Sequence, residues 1–254
     1  MIMARFQWHG EVHWGIVESE TIFDLKGDLY GDFTRGKKLC SLKEVKLLAP
    51  VAPSITIACG MNYMDHIRDM GWEVPKEPAL FFKPANTIIG PEENIIYPKV
   101  SQDVNYEGEL CCVIKRKAKN VSVEDALDYV LGYTCGNDLT ASDLTKKDGR
   151  LTRAKAFDTS GPLGPFLVTG LDPYKLTIKS RINGKSQQNG KTDSMIFNIE
   201  KLVSYISAFM TLRPGDVVWT GTPKGGHCPV HIGDTVEVEI EGIGLLRNRV
   251  VAEK

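Results

Sequence analysis

The sequence predicts an α+β chain that is mainly β, with a small N-terminal β appendage and a few flanking helices. Short apolar runs bounded by glycine, proline and asparagine recur along most of the chain, which is typical of strands. The C-terminal third alternates such runs with turn residues, and Asn183-Gly184 between two runs is a hairpin signal. Helical spacing of apolar residues is confined to a few segments, so only a few helices are expected.

The first 50 residues have the pattern of a separate β unit. Strand-like runs at residues 5–8, 12–17 and 21–25 are separated by glycine and acidic turns. Ala49-Pro50 and Ala52-Pro53 follow, and a residue before proline is pushed out of the helical region, so these pairs punctuate the end of the unit. We therefore predict a small β domain at residues 1–50 and a main domain at residues 51–254.

Composition and charge exclude several classes of partner. With 254 residues, 42% hydrophobic and 25% charged, the chain has the composition of a soluble globular protein. A formal net charge of −1 argues against nucleic acid and anionic membranes as partners. No apolar run approaches the length of a membrane span, and the six cysteines form no C-x-x-C pair, so we expect a cytoplasmic protein with free thiols.

A histidine and an aspartate lie together in the segment that follows a buried-looking strand at residues 55–59. Residues 60–71 begin and end with glycine, and they are predicted to form a short helix or a mobile loop. On a helix, His66 and Asp69 at positions i and i+3 share a face. A carboxylate that orients an imidazole favours a general base, although many such pairs are only exposed surface. The flanking glycines and Trp72 are typical of a lid.

Three acidic residues lie at the ends of two predicted strands. Glu107 and Glu109 are two residues apart, so a strand places both side chains on one face, about 7 Å apart at their bases. Asp138 follows the strand at residues 131–135. If the three carboxylates converge, they need a cation, and oxygen ligands suit Mg²⁺, Mn²⁺ or Ca²⁺. Spacing alone leaves equally open that the glutamates are merely exposed and that Asp138 is a turn residue.

A helix is predicted between these two acidic strands. Ser122 and Asp125 fit a capping box at its start. Apolar residues then recur at helical spacing, namely Val123, Ala126, Leu127, Val130 and Leu131. This helix is expected to be scaffold.

The rest of the chain supplies one candidate site residue and further scaffold. After a polar, basic segment comes Lys155, which is either solvated or placed to hold an anionic substrate. Asn198 is predicted to cap an amphipathic helix at residues 199–210, and residues 235–240 and 245–251 are predicted to form the last hairpin. The glycine-rich loop at residues 220–226 lacks the order of a nucleotide-binding P-loop.

Seven separated motifs place these features in the order of one known family. They are GMNYMDHIRDM, FFKP, YEGEL, YTCGNDLTASD, AKAFDTSGPLGPF, INGKSQQNGKTDSMIF and WTGTPKGG. In this order and spacing they resemble the fumarylacetoacetate hydrolase family, over about residues 52–251. The resemblance implies a rolled, barrel-like mixed β-sheet of the C-terminal domain type in residues 51–254, and usually a homodimer.

The resemblance also assigns roles to the candidate residues. It implies that Glu107, Glu109 and Asp138 bind Mg²⁺ or Mn²⁺. His66 and Asp69 match the lid dyad of the acylpyruvase and oxaloacetate decarboxylase branch, where the second member is a glutamate.

Further residues of the matching motifs are assigned to substrate. Lys155 matches the family's active-site lysine, and Thr222 lies in a loop that commonly contacts the substrate carboxylate. Asn62, Lys83 and Thr220 lie in the same motifs and are predicted with Thr222 to bind substrate. Ser142 departs from the family, because many members have arginine there, so this chain is expected to hold its substrate's carboxylate differently.

The function implied is that of a divalent-metal-dependent enzyme on a 2-oxo dicarboxylate or acylpyruvate. The metal would chelate the 2-oxo acid end and stabilise an enolate during hydrolysis of an acylpyruvate C–C bond or decarboxylation of a β-keto acid such as oxaloacetate. The alternative is isomerisation of 2-hydroxyhepta-2,4-diene-1,7-dioate or 5-carboxymethyl-2-hydroxymuconate in aromatic catabolism. A non-catalytic ligand-binding relative is a further alternative, which the shorter Asp69 and Ser142 would explain.

Overall fold

A computed structural model describes all residues, 1–254, and confirms the mainly β fold class with mixed sheets and a few helices. Strands account for 44% of the residues and helices for 17%. The strands are β1 Ile2–Trp8, β2 Glu11–Glu18, β3 Thr21–Gly27, β4 Phe33–Ser41, β5 Lys46–Leu47, β6 Thr56–Gly60, β7 Ala79–Phe82, β8 Ile88–Ile89, β9 Ile95–Tyr97, β10 Val104–Tyr106, β11 Gly108–Ile114, β12 Val130–Asn137, β13 Thr140–Ala141, β14 Gly161–Val168, β15 Thr177–Ile182, β16 Lys185–Lys191, β17 Val217–Trp219, β18 Cys228–Pro229, β19 Thr235–Ile240 and β20 Gly244–Ala252. The α-helices are α1 Met64–Met70, α2 Ser142–Asp148, α3 Thr152–Lys155 and α4 Ile199–Phe209. Short 3₁₀ helices lie at Leu42–Glu44, Ala85–Thr87, Ala126–Tyr129 and Thr192–Ser194.

Twelve strands form one large mixed sheet. Its strand order is β4-β3-β2-β1-β14-β12-β11-β17-β6-β7, with β5 added to β1 and β8 to β14. Most neighbours are antiparallel, whereas β17 with β6 and β8 with β14 are parallel. The N-terminal strands join this sheet through β1, which pairs with β14. The predicted boundary at residue 50 therefore lies between segments that share a sheet.

Two smaller sheets complete the β structure. A five-stranded sheet has the order β16-β15-β19-β20-β9, and it packs across β11, β12 and β14 of the large sheet. A three-stranded sheet has the order β13-β10-β18. Along the chain, β10 comes directly before β11 and β13 comes directly after β12. The three-stranded sheet therefore continues from the start of β11 and the end of β12.

The central strand β11 is buried on both faces, which explains its lack of a polar stripe. Leu110, Cys112 and Ile114 point into the core shared with α4 and the five-stranded sheet. Cys111 and Val113 point into a second core on the opposite face. Because side chains alternate along a strand, Glu109 lies on the same face as Cys111 and Val113.

Most predicted elements are present, and one helix is not. Asn198 caps α4 by accepting a hydrogen bond from the backbone N–H of Lys201 at 2.9 Å, and both C-terminal hairpins form. The helix predicted from Val123 to Leu131 is wrong, because only Ala126–Tyr129 forms a single 3₁₀ turn. Val130 and Leu131, the last two apolar residues of the predicted helix, belong to strand β12 instead. There Val130 pairs with Ile114 of β11, so these two residues stabilise the sheet.

Neither the length nor the hydrophobicity needed to cross a bilayer is reached by any helix in the structure. All six cysteines are free thiols, and five of them are buried, as the sequence predicted.

We expect Gly136→Ala to destabilise the fold by about 1–3 kcal/mol, because the added methyl overpacks the core. Its Cβ would lie 2.5 Å from both Cys111 Sγ and a ring carbon of Trp219. The matched control is Gly60→Ala, whose Cβ would have no neighbour closer than 3.7 Å. Urea unfolding of both variants measures the difference. Equal stabilities for the two variants would contradict the close packing between β12 and Trp219.

Candidate active site

Three carboxylates converge where β10, β11 and β12 end. Glu109 is on β11, Asp138 directly follows β12, and Glu107 lies in the break between β10 and β11. The backbone N–H of Asp138 donates to the carbonyl of Glu107 at 2.8 Å, which ties the two strand ends together. One oxygen of each carboxylate lies within 4.8 Å of the others. The structure therefore brings together the three acidic residues that the sequence singled out.

Two buried lysines neutralise part of this charge. Lys155 Nζ lies 2.7 Å from Glu107 Oε2 and 2.6 Å from Asp138 Oδ2. Lys83 Nζ lies 2.7 Å from Asp138 Oδ1 and donates to the carbonyl of Lys155 at 2.8 Å. Three carboxylates against two ammonium groups leave one negative charge. Glu109 has no ammonium partner, since its one hydrogen bond comes from the backbone N–H of Gly221 at 2.9 Å.

The pKa shifts of Glu107 and Glu109 have opposite directions, and they indicate which carboxylate lacks a compensating positive charge. Burial would raise the pKa of Glu107, but Lys155 and His227 hold it well below its ordinary value. Burial, together with the charges of Asp138 and Glu107, raises the pKa of Glu109 well above its ordinary value. The pKa of Lys155 is raised despite its burial, because Asp138 and Glu107 stabilise the ammonium. Glu109 is therefore the carboxylate that needs a further cation to remain ionised.

The residues present fit a divalent cation. The ligand atoms would all be carboxylate oxygens, which hard cations such as Mg²⁺ and Mn²⁺ prefer. Glu109 is 2% exposed and Asp138 is fully buried, so solvent cannot screen the repulsion between them. A cation held by Glu107, Glu109 and Asp138 would remove this repulsion.

His66 lines the cavity above the carboxylates, but it does not form the predicted contact with Asp69. Neither ring nitrogen of His66 makes a hydrogen bond, and Nδ1 is buried without a partner. Asp69 instead pairs with Lys224, with 2.7 Å between Oδ1 and Nζ. The reason is that Asp69 lies on the exposed side of α1, whereas His66 points inward and packs edge-on against Trp72. Burial lowers the pKa of His66, so its imidazole is neutral at pH 7.

Three of the four residues predicted to bind substrate lie outside the cavity wall. The side-chain Nδ2 of Asn62 donates hydrogen bonds to the carbonyls of Phe197 and Thr220, and its Oδ1 accepts one from the backbone N–H of Phe197. Thr220 donates to the carbonyl of Leu110 at 2.9 Å, and Lys83 is held by Asp138. In the structure these three side chains bond to the protein and position their neighbours, and their contact with substrate stays a prediction. Thr222 does line the cavity, although its hydroxyl donates to the carbonyl of Gly108 at 2.8 Å.

Sequence reasoning missed His227 as a member of the site. Its Nδ1 lies 2.8 Å from Glu107 Oε1, and its Nε2 lies 3.5 Å from Ser142 Oγ. The backbone at His227 is left-handed, with φ of 68°, which is uncommon for a residue other than glycine. A histidine directly after Gly225-Gly226 was a weak signal, because 120 residues separate it from Glu107.

These groups surround one cavity of about 530 Å³. One wall is apolar and comes from the segment around α1 and from β7, with Met61, Met70, Trp72 and Phe81. The facing wall is polar and comes from β10, β13 and α2, with Asp103, Asn105, Thr140, Ser142, Thr145 and Lys146. Glu107, Glu109, Asp138 and Lys155 form the remaining part of the lining, which we call the acidic floor. The cavity accommodates a small organic acid, with polar groups placed to orient it.

The family to which this site belongs follows from comparison with known proteins. The profile described as fumarylacetoacetate (FAA) hydrolase C-terminal matches residues 56–251, and one described as Rv2993c-like, N-terminal, matches residues 1–50. The chain belongs to the fumarylacetoacetate hydrolase family and is an enzyme of that family, as the seven motifs indicated.

Individual relatives carry the names of three reactions. The mitochondrial oxaloacetate tautomerase of Xenopus laevis is 44% identical over 225 residues, which cover 84% of this chain and 70% of the relative. The crystal structure of 5-carboxymethyl-2-hydroxymuconate delta-isomerase from Mycobacterium smegmatis is 39% identical, with a TM-score of 0.93 over 100% of both chains. Fumarylpyruvate hydrolase from Pseudomonas aeruginosa, solved with Mn²⁺ and pyruvate, is 34% identical, with a TM-score of 0.74 over 81% of this chain and 91% of the other.

We expect Mn²⁺ to raise the unfolding temperature of the wild-type protein and not that of Glu109→Gln. At 100 times the dissociation constant, a ligand of the folded state adds about 2.7 kcal/mol, or about 5–10 °C for a chain of this size. Metal-free Glu109→Gln should unfold at the wild-type temperature or above it, because a neutral amide removes the repulsion and can still accept from Gly221. Differential scanning calorimetry at pH 8 measures both effects.

Glu241→Gln is the matched control, because Glu241 is exposed and lies outside the cavity. This variant should keep the full Mn²⁺ shift. A full shift in Glu109→Gln as well would remove Glu109 from the metal site.

Proposed function

We propose that this enzyme transfers a proton at the carbon next to the keto group of a 2-oxo dicarboxylate such as oxaloacetate, with a divalent metal bound by Glu107, Glu109 and Asp138. The observation that carries the proposal is the buried imidazole of His66, which makes no hydrogen bond and lies in the same cavity as the three carboxylates. Such an imidazole can accept a proton from carbon and return it. The tautomerase and isomerase names of two relatives support the same reaction class.

The acidic floor defines where the 2-oxo acid end would lie. The cation, when bound, would supply positive charge to the keto oxygen that becomes negative as the proton leaves carbon. Lys155 and Lys83 hold Glu107 and Asp138 in place, so the carboxylates need no rearrangement to present their oxygens. Lys155 acts here on the carboxylates, because its ammonium is already shared between two of them.

His66 would perform the proton transfer. Its neutral imidazole takes the proton from C3 of the substrate, the C–H electron pair becomes the C2–C3 π bond, and the π pair of the C2 carbonyl moves to its oxygen. Return of the proton to that oxygen gives the enol, and, where the substrate has a further conjugated double bond, return to the far carbon of the dienolate gives an isomer. Trp72 and the other apolar residues of the α1 wall keep bulk water from competing for that proton.

Hydrolysis of an acylpyruvate is the second candidate. It needs a base that activates water, and Asp69 one turn from His66 could orient the ring if α1 moved. The similarity to fumarylpyruvate hydrolase favours this candidate. Decarboxylation of oxaloacetate would use the same acidic floor without a base.

A substrate panel separates these reactions. We expect wild-type enzyme with Mg²⁺ or Mn²⁺ to accelerate enol–keto exchange of oxaloacetate, followed as loss of enol absorbance, with little pyruvate formed. 2-Hydroxyhepta-2,4-diene-1,7-dioate, acetylpyruvate and fumarylpyruvate complete the panel. Pyruvate release from an acylpyruvate at a higher kcat/KM would favour the hydrolase instead. No change in any of the four substrates would contradict both candidates.

We expect His66→Gln to lower kcat by about 10²–10⁴ while the Mn²⁺-dependent rise in unfolding temperature is retained, because the base is lost and the carboxylates are not. The wild-type kcat/KM should fall at acid pH as His66 becomes protonated. Since burial lowers the pKa of His66, the midpoint of this fall should lie below 6.5, and activity should be constant just above it. A midpoint above 6.5, or a fall that persists in His66→Gln at a pH where Mn²⁺ still raises the unfolding temperature, would assign the base elsewhere.

We expect Asp69→Asn to change kcat/KM by less than about threefold, because Asp69 contacts Lys224 at the surface and not His66. Lys224→Met is the matched control, since it removes the other half of the same pair. A loss in Asp69→Asn as large as that in His66→Gln, with Lys224→Met unaffected, would show that the two residues act together. That result would favour the hydrolase.

A further inference from the structure

The polar wall of the cavity contains one cation that is free to bind a ligand. Of the two lysines that line the cavity, Lys155 is fully engaged by Glu107 and Asp138. Lys146 makes no hydrogen bond, and its nearest acid is Asp103, with 3.9 Å between Nζ and Oδ2. Its side chain is 80% exposed at the cavity mouth. Lys146 is therefore the ammonium that an incoming anion can use without breaking a close ion pair.

Two hydroxyl groups of the same wall are turned away from the cavity. Thr140 is 5% exposed, and its Oγ1 is buried without a hydrogen bond. Thr145 Oγ1 is likewise buried and unpaired. Both residues line the cavity, but neither oxygen is exposed to it. The charge of Lys146 is therefore what this wall offers an incoming anion.

The local fold brings these groups to one side of the cavity. Thr140 lies on β13, and Ser142 begins α2. Thr145 and Lys146 are three and four residues after Ser142, so they lie on the same helix face. Ser142 Oγ is held by Asn105 Nδ2 at 2.9 Å, which fixes the start of this face. Met61, Met70 and Phe81, which also line the cavity, are apolar and offer an anion no hydrogen bond.

We propose that Lys146 binds the distal carboxylate of the substrate and makes the enzyme selective for 2-oxo dicarboxylates over 2-oxo monocarboxylates. This inference rests on the proposed function, in which the 2-oxo acid end lies at the acidic floor. The second carboxylate then extends along the polar wall towards the mouth. Lys146 is a specificity residue and takes no part in proton transfer.

The test measures binding and needs no turnover. Isothermal titration calorimetry with saturating Mg²⁺ compares 2-oxopentanedioate with 2-oxopentanoate, which has the same chain length and no distal carboxylate. We expect the wild-type protein to bind the dicarboxylate about tenfold more tightly, since it gains charge-assisted hydrogen bonds. Raising the salt concentration should reduce this preference, because the ammonium is exposed.

Lys146→Met should abolish the preference while leaving the affinity for 2-oxopentanoate unchanged. Lys147→Met is the matched control, because Lys147 is the adjacent exposed lysine and does not line the cavity. It should keep the preference.

The outcomes separate this inference from the proposed function. If the wild-type protein binds both 2-oxo acids equally, or if Lys147→Met lowers the preference as much as Lys146→Met, the distal site is wrong and the proposed function stands. If neither 2-oxo acid binds, the proposed function fails, and the inference fails with it.

Discussion

The structure depends on holding three carboxylates together in a buried place. Glu109 and Asp138 are almost completely removed from solvent, and their mutual repulsion would open the strand ends if nothing opposed it. The backbone bond from Asp138 to Glu107 and the ammonium groups of Lys83 and Lys155 oppose it. A central strand buried on both faces makes this arrangement rigid, because β11 cannot shift without disturbing two cores.

The two sides of the cavity differ in how firmly they are held, and this difference bears on which reaction occurs. The floor is tied by ion pairs and by strands of the large sheet. On the α1 wall the side chain that faces the cavity is held less firmly: His66 makes no side-chain hydrogen bond, and Asp69 pairs with Lys224 instead. A rigid floor that binds the common 2-oxo acid end, with an adaptable wall that presents the base, accommodates proton transfer, isomerisation or hydrolysis with small changes in the wall.

The sequence predicted the parts of the site that follow from local periodicity. The strand period of two placed Glu109 on the face that runs into the core, and the end of a strand placed Asp138 beside it. Periodicity carries no information about long-range partners, so His227 was missed, and Asp69 was paired with its helical neighbour instead of Lys224. Polar residues in matching motifs were predicted to bind substrate, yet a polar side chain at a strand end can equally satisfy the backbone, as Thr220 does.

The charge of the floor connects the metal with the choice of substrate. Three ionised carboxylates and two protonated lysines would give the floor one negative charge, and the raised pKa of Glu109 shows that the empty floor favours protonation of Glu109 over that charge. A divalent cation held by the three ionised carboxylates would instead leave one positive charge. In the proposed function the floor therefore attracts a dicarboxylate only once the cation is held, so we expect the cation to bind before the substrate. An order of binding follows from charge alone, and burial strengthens it, because little water lies between the floor and the ligand to screen the change.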